Sequence, residues 1–232
     1  MRTLRGMVMG LAFVALLGIA PAHAAEAYLG AKDQVNLLEL LAPPPGPRDP
    51  GTRRDLAELR QLQQSRGPAR VAVAQADVEE TVFRLTRVFP KPLTAAQVPK
   101  TAALFHHLAV TAGGVTAPAK QGFARPRPYT VARDLHPVCP LAANPSYPSG
   151  HATVGYYMGV ILAAMVPEQR AAIFARTQEF AESRLICGVH YRSDIEAGRI
   201  AGTVLAALAM TDPSFTAAFA AAKAELRAAL GL

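Results

Sequence analysis

Apolar residues recur along most of the chain every three or four positions, the spacing that gathers them on one face of an α-helix. Leu56, Leu59 and Leu62 define one such helix over 55–64, and Val71, Ala74, Val78, Val82, Leu85 and Phe89 a longer one over 71–89. Thr94 caps a further helix running toward Val110, which Gly113-Gly114 and Pro118 should end, since glycine and proline disfavour helix interiors. Four more helices are expected near 152–165, 168–183, 194–211 and 214–230. No stretch alternates apolar and polar residues with β-branched enrichment, so no strand is expected. The run Ala42-Pro43-Pro44-Pro45-Gly46-Pro47 forbids helix and favours an extended chain. The pattern thus predicts an all-α, single-domain helical bundle with an extended proline-rich N-terminal arm, undivided by any repeat or linker.

The N-terminus departs from this pattern. Arg2 and Arg5 precede an uninterrupted apolar run over 6–19, and Ala22-His23-Ala24 supplies small residues around a cleavage point, the layout of a signal peptide over 1–24. The run is shorter than the roughly 20 residues that span a bilayer, and Pro21 follows it. The later alanine-rich stretches are interrupted by Asp194, Glu196, Arg199, Asp212, Lys223, Glu225 and Arg227, so the mature domain, 25–232, is expected to be periplasmic or secreted, outside the membrane. In such a compartment the two cysteines, Cys139 and Cys187, fit one disulfide, with two separate buried thiols as the alternative.

The formal charge of +7 suits anionic ligands. Nucleic acid is not expected, because no basic run interleaved with aromatics or reader motif is present. Three polar clusters instead interrupt the apolar background. In Lys120-Gln121-Gly122-Phe123-Ala124-Arg125-Pro126-Arg127-Pro128, read as a stiff loop, Lys120 offers a point charge and Arg127 a planar fork for phosphate oxygens, while Arg125 is expected to face water. In Tyr147-Pro148-Ser149-Gly150-His151, Ser149 is a helix N-cap, and the backbone N–H groups of Gly150 and His151 open a turn that cradles anions. His151 stands at its mouth as a proton donor. In the third, 183–194, His190 lies in a connecting turn and Asp194 in the first turn of a helix that a Ser193/Glu196 capping box would start. That spacing lets the carboxylate take the Nδ1 proton and leaves Nε2 to attack, with Arg184 balancing developing charge. The arginines crowding these segments argue against a metal, and no cofactor is expected.

The spacing of Lys120 with Arg127-Pro128, Pro148-Ser149-Gly150-His151, and Ser183-Arg184 with His190 and Asp194 resembles the three-part signature of the type 2 phosphatidic acid phosphatase superfamily. Within it, Ser146-Tyr147-Pro148-Ser149-Gly150-His151, residues 183–190 and the Leu40-Leu41-Ala42-Pro43-Pro44-Pro45 arm are similar to the bacterial class A nonspecific acid phosphatases. The resemblance implies phosphorylation of His190, with Asp194 as its partner, His151 as the acid, and Lys120, Arg127, Ser149, Gly150 and Arg184 binding phosphate. It also implies a helical fold, small phosphomonoester substrates and often a homodimer; phosphotransfer to alcohols is expected as a side activity, because an acceptor entering in place of water can take the phosphoryl group from His190. Pro145, Ala152 and Tyr129 depart from residues common in that family, at the edges of the cradle. The rival readings are a vanadate-dependent haloperoxidase, a membrane lipid phosphatase, which needs spanning helices, and an exported phosphate-binding protein, which would have no use for His190 and Asp194. His23, His106, His107 and His136 are assigned no catalytic role. Expressed with its own N-terminus in an exporting bacterium, the mature protein should begin at Ala25, which N-terminal sequencing and intact mass will check.

Overall fold

The computed structural model describes residues 35–232; the signal-peptide assignment lies outside the described residues. Nine α-helices are formed among these residues and no strand. They are α1 (Leu37–Leu40), α2 (Pro50–Ser65), α3 (Pro68–Ala76), α4 (Pro99–Phe123), α5 (Pro128–Val131), α6 (Gly150–Met165), α7 (Arg170–Ile186), α8 (Arg192–Ala209) and α9 (Pro213–Leu230). No single helix among them is long and apolar enough to cross a membrane.

Helix α6 runs through the centre and is buried almost all round, as its uniformly apolar and small residues require. Its neighbours come very close. A Cβ on Gly202 of α8 would lie 2.4 Å from the Thr153 carbonyl oxygen, and one on Gly198 would lie 2.6 Å from the Ser149 carbonyl oxygen. The α8 backbone therefore rests directly on the N-terminal half of α6, and the Ser149 N–H donates to the Asp194 carbonyl oxygen at 3.0 Å. Two helix N-termini are thereby brought together at one end of the bundle. The arm crosses nearby, with the Tyr147 hydroxyl donating to the Ala42 carbonyl at 2.6 Å.

Expectations for three helices need correction. Helix α4 does not stop at Gly113-Gly114; it continues through Pro118 for 25 residues. Its buried stripe, Leu104, Phe105, Leu108, Ala112, Val115 and Ala119, is continuous across those residues. Packing outweighs the local cost, about 1 kcal/mol for each glycine and about 3 kcal/mol for the proline. Helix α4 also begins at Pro99 rather than at Thr94: Thr94 closes a turn with Gln97, and the Glu225 carboxylate of α9 instead accepts the N–H groups of Lys100 and Thr101 at 3.1 and 2.8 Å. Lys120 therefore belongs to the last helical turn, not to a loop.

The helix expected over 71–89 ends at Ala76. Asp77, fully buried, accepts hydrogen bonds from Arg84 at 2.9 and 3.0 Å, from Ser183 at 2.7 Å and from Arg176. Satisfying a buried carboxylate outweighs prolonging a helix, so a turn over 77–80 and two 3₁₀ turns, Val82–Arg84 and Thr86–Val88, replace the rest. Finally, α8 starts at Arg192, capped by Asp194, whose carboxylate accepts the Tyr191 N–H at 3.0 Å, rather than by a Ser193/Glu196 box. Gly202→Ala is expected to cost about 1–3 kcal/mol by forcing α8 off α6. Gly113→Ala, with open space around it, should be neutral or stabilising by up to about 1 kcal/mol; thermal unfolding separates the two.

Candidate active site

The end of the bundle where α6 and α8 begin holds a buried polar cluster. Helix α7 ends at Ile186, Gly188 takes a left-handed conformation (φ 75°), and the chain turns back into α8 with His190 in the turn. His190 Nδ1 lies 3.0 Å from Asp194 Oδ2, as the i, i+4 spacing anticipates. Asp194 Oδ2 also accepts from the Ser146 hydroxyl at 2.5 Å, and Oδ1 from Arg125 Nη1 at 2.7 Å. Burial alone would raise the Asp194 pKa, but the hydrogen bonds donated by His190 and Ser146 and the Arg125 charge hold it down at about 2.

Arg127 Nη1 lies 2.9 Å from His190 Nε2. A guanidinium has only protons to offer, so Nε2 must be the acceptor and Nδ1 carries the ring proton toward Asp194. One tautomer satisfies both contacts, and it leaves a lone pair on Nε2 directed at a cation. Burial, reinforced by the charges of Arg127 and Lys120 and opposed by Asp194, lowers the His190 pKa to about 3, which keeps this neutral form in place. Arg127 is itself fixed by the carbonyl oxygens of Asn144 and Val189, at 2.9 and 3.0 Å, and by the Asn144 side chain at 2.6 Å.

Ser149 caps α6, its hydroxyl accepting the Ala152 N–H at 3.2 Å. A Cβ on Gly150 would sit 3.8 Å from Lys120 Cε, within the space above this N-terminus. Lys120 Nζ donates to the carbonyls of Pro145, Ser146 and Pro148 at 3.0, 3.3 and 2.7 Å, so all three ammonium protons tie down the 145–148 segment. Burial first, and then Arg127, lower its pKa to about 7. Arg184, nine-tenths buried, points in from the last turn of α7; its Nε finds no partner among the described residues, and its only polar contact is from Nη1 to Cys187 Sγ at 3.7 Å. Cys187 forms the expected disulfide with Cys139, holding the preceding loop against α7.

The candidate residues of the three clusters therefore come to this one end of the bundle. Three features were not legible there. Arg125 does not face water: it is buried, stacks 3.8 Å above the Tyr191 ring and holds both Asp194 and Ser193. It gets there because Ala124, in the left-handed conformation (φ 49°), turns the chain sharply after α4. Ser146 was read only as part of a motif, and Glu80, placed in mid-helix by periodicity, instead reaches His151. Conversely His151 is enclosed rather than at an open mouth: Nδ1 lies 2.8 Å from Glu80 Oε1, and Nε2 lies 2.5 Å from the Asp77 carbonyl oxygen. A cleft of about 540 Å³ lined by Pro43, Pro44 and Pro45 is bounded by Arg125 and Tyr191 and does not include His190. No group of three or more His, Cys, Asp or Glu side chains among the described residues is arranged to hold a metal ion.

Residues 102–216 match the model of the PAP2 superfamily. The chain is 33% identical to the non-specific acid phosphatase of Salmonella typhimurium over 221 residues, 90% of this chain and 84% of the relative. It is 32% identical to an acid phosphatase of Zymomonas mobilis, covering 82% of this chain and 75% of that one. The helical bundle is shared with a bacterial vanadium-dependent iodoperoxidase (TM-score 0.57, 18% identity, 74% of this chain and 52% of that one). It is shared too with a transmembrane PAP2-type phosphatidylglycerolphosphate phosphatase from Bacillus subtilis (TM-score 0.50, 17% identity, 68% and 83%). With the fold, the three clusters and these relatives in agreement, the chain belongs to the PAP2 superfamily, alongside the non-specific acid phosphatases.

Replacing Arg125 by Ala strands Asp194 Oδ1 and is expected to destabilise by about 3–5 kcal/mol, against about 1–3 kcal/mol for Ser146→Ala. A depressed carboxylate contributes stability above its unfolded pKa, near ~3.9, and loses it as pH falls toward the folded value. The Arg125→Ala penalty should therefore shrink as pH is lowered from about 5 toward about 2, which denaturant melts across that range will measure.

Proposed function

We propose that this protein is an exported acid phosphatase that hydrolyses phosphate monoesters without a metal, through a phosphohistidine on His190. The observation that carries the reading is the orientation of His190: Asp194 takes the Nδ1 proton, and the Nε2 lone pair faces the guanidinium of Arg127. A phosphoryl group entering there exchanges one of its oxygens for Nε2 as the partner of Arg127. It also gives the unpaired Nε of Arg184 an acceptor. The start of α6, with Ser149 as its cap and Gly150 as its first residue, would offer its free N–H groups to the same phosphoryl oxygens. Lys120, its protons engaged by carbonyls, contributes charge and fixes the loop.

Nε2 attacks phosphorus as the ester P–O bond breaks, and His151 gives a proton to the departing alkoxide. Water then gives a proton back to His151 and attacks the phosphohistidine, breaking the P–N bond and releasing phosphate. An alcohol entering in place of water would receive the phosphoryl group instead. Positive charge supplied by Arg127, Arg184 and Lys120 offsets the charge gathered on the phosphoryl oxygens. Export by the N-terminal segment is part of the same reading and agrees with a disulfide-bonded domain.

The acid range follows from the two histidines. His190 is neutral, and so able to attack, above about pH 3. His151 must be protonated, and burial together with Arg184 lowers its pKa below the ordinary ~6.5 despite Glu80. The kcat/KM profile is expected to rise through the lower value and fall before neutrality. The test is turnover of a generic phosphomonoester with chelator present, by the wild type and by His190→Ala, with rapid quenching to trap an acid-labile, alkali-stable phosphoprotein. Chelator-resistant turnover and trapped phosphate, both lost in the variant, would support the reading. An inactive wild type, or activity surviving the substitution, would overturn it, and peroxide-dependent halide oxidation after vanadate loading would favour the haloperoxidase.

A further inference from the structure

His151 is the one polar group of the site whose two ring nitrogens both face oxygen acceptors. Nδ1 meets the Glu80 carboxylate at 2.8 Å, and Nε2 meets the Asp77 carbonyl at 2.5 Å. A neutral imidazole has one N–H, so in that form one of the two contacts sets lone pair against lone pair; only the imidazolium satisfies both. A buried imidazolium needs a counter-charge. The Asp77 carboxylate cannot supply it, being committed to Arg84, Arg176 and Ser183. Arg184 of α7 and Lys120 of α4 bear the wrong sign, and both lie close enough to lower the Glu80 pKa. His106 of α4 shares a small depression of about 90 Å³ with Glu80. Phe180 stacks on the ring face, with centroids 4.4 Å apart. Glu80 is the remaining anion, and its side chain is 44% exposed, so holding it there carries a modest desolvation cost.

We propose that Glu80 is the positioning residue of the acid–base group: it retains the His151 Nδ1 proton throughout the cycle, so that Nε2 alone exchanges a proton with alkoxide and water. The proposal rests on the phosphatase reading above. At rest the Nε2 proton is lent to the Asp77 carbonyl; a departing alkoxide, the stronger acceptor, takes it, and the ring becomes neutral with Nδ1–H still on Glu80. Water then returns a proton to Nε2. The turn over 77–80 is rigid enough for this, since Asp77 is clamped by its four hydrogen bonds. Glu80 thereby serves His151 as Asp194 serves His190.

Glu80→Gln keeps the shape and removes the charge. A nitrophenolate leaves without help, whereas an alkoxide needs the acid, so kcat/KM should fall about 10-fold or more on an alkyl phosphate and less than about 3-fold on p-nitrophenyl phosphate. The alkaline limb should move to lower pH by about one unit or more, because a lost anion makes the imidazolium harder to hold. Glu80→Asp should restore part of both. Imidazole NMR of uninhibited protein should show the His151 titration moving down in Glu80→Gln. Equal losses on both substrates with an unmoved alkaline limb, or an unmoved His151 titration, would overturn the proposal. Should the wild type turn over neither ester, the phosphatase reading fails, and the His151 titration in Glu80→Gln and Glu80→Asp still decides whether Glu80 governs its proton.

Discussion

A single buried carboxylate sets the terms for this end of the molecule. Asp194 is fully enclosed and ionised, a state that costs several kcal/mol unless every lone pair is met. Its donors come from three separate segments: Arg125 after α4, Ser146 before α6, and His190 with the Tyr191 N–H before α8. Satisfying Asp194 therefore requires α4, α6 and α8 to meet in one arrangement. The close approach of α8 to α6 at Gly198 and Gly202 is what makes that meeting geometrically possible. Because the same carboxylate also selects the His190 tautomer, fold and proposed chemistry depend on one group.

Charge around that carboxylate is deliberately unequal. Lys120, Arg127 and Arg184 are buried close together, and each has its pKa pushed down, burial being the largest cause. Clustering like charges away from water is unfavourable unless an anion completes the set, so this protein stores an electrostatic demand that a phosphoryl group can meet. Arg184 shows it most plainly, with an Nε that has no partner among the described residues in a packed interior. Lys120 differs, since carbonyl oxygens occupy its protons and make it part of the scaffold.

On the opposite side of the site, Asp77 does for the 77–80 turn what Asp194 does for α8. It draws Arg84, Arg176 and Ser183 together and breaks a helix whose apolar spacing alone would have continued. The broken helix delivers an Asp77 carbonyl and a Glu80 carboxylate to His151. Two carboxylate-centred hubs thus flank the proposed phosphoryl site, each attended by one histidine.

What the amino-acid order alone determined was the helical class, the positions of α2, α6, α7, α8 and α9 to within about five residues, the Ser149 cap and the His190–Asp194 pair. Those features are local: a period of 3.6, an N-cap, an i, i+4 spacing. Tertiary structure decided the features that arise from burial. It carried α4 through Gly113-Gly114 and Pro118 because the buried stripe continues, ended α3 at Ala76 because Asp77 needed partners, and turned Arg125 inward because Asp194 needed a cation. The Glu80 contact to His151 spans 71 positions and carries no periodic signature. Local propensities are worth about 1 kcal/mol or less per residue, about 3 for a proline, whereas an unmatched buried charge costs several; at Asp77 and Arg125 the buried charges prevailed, and along α4 the continuous apolar stripe did.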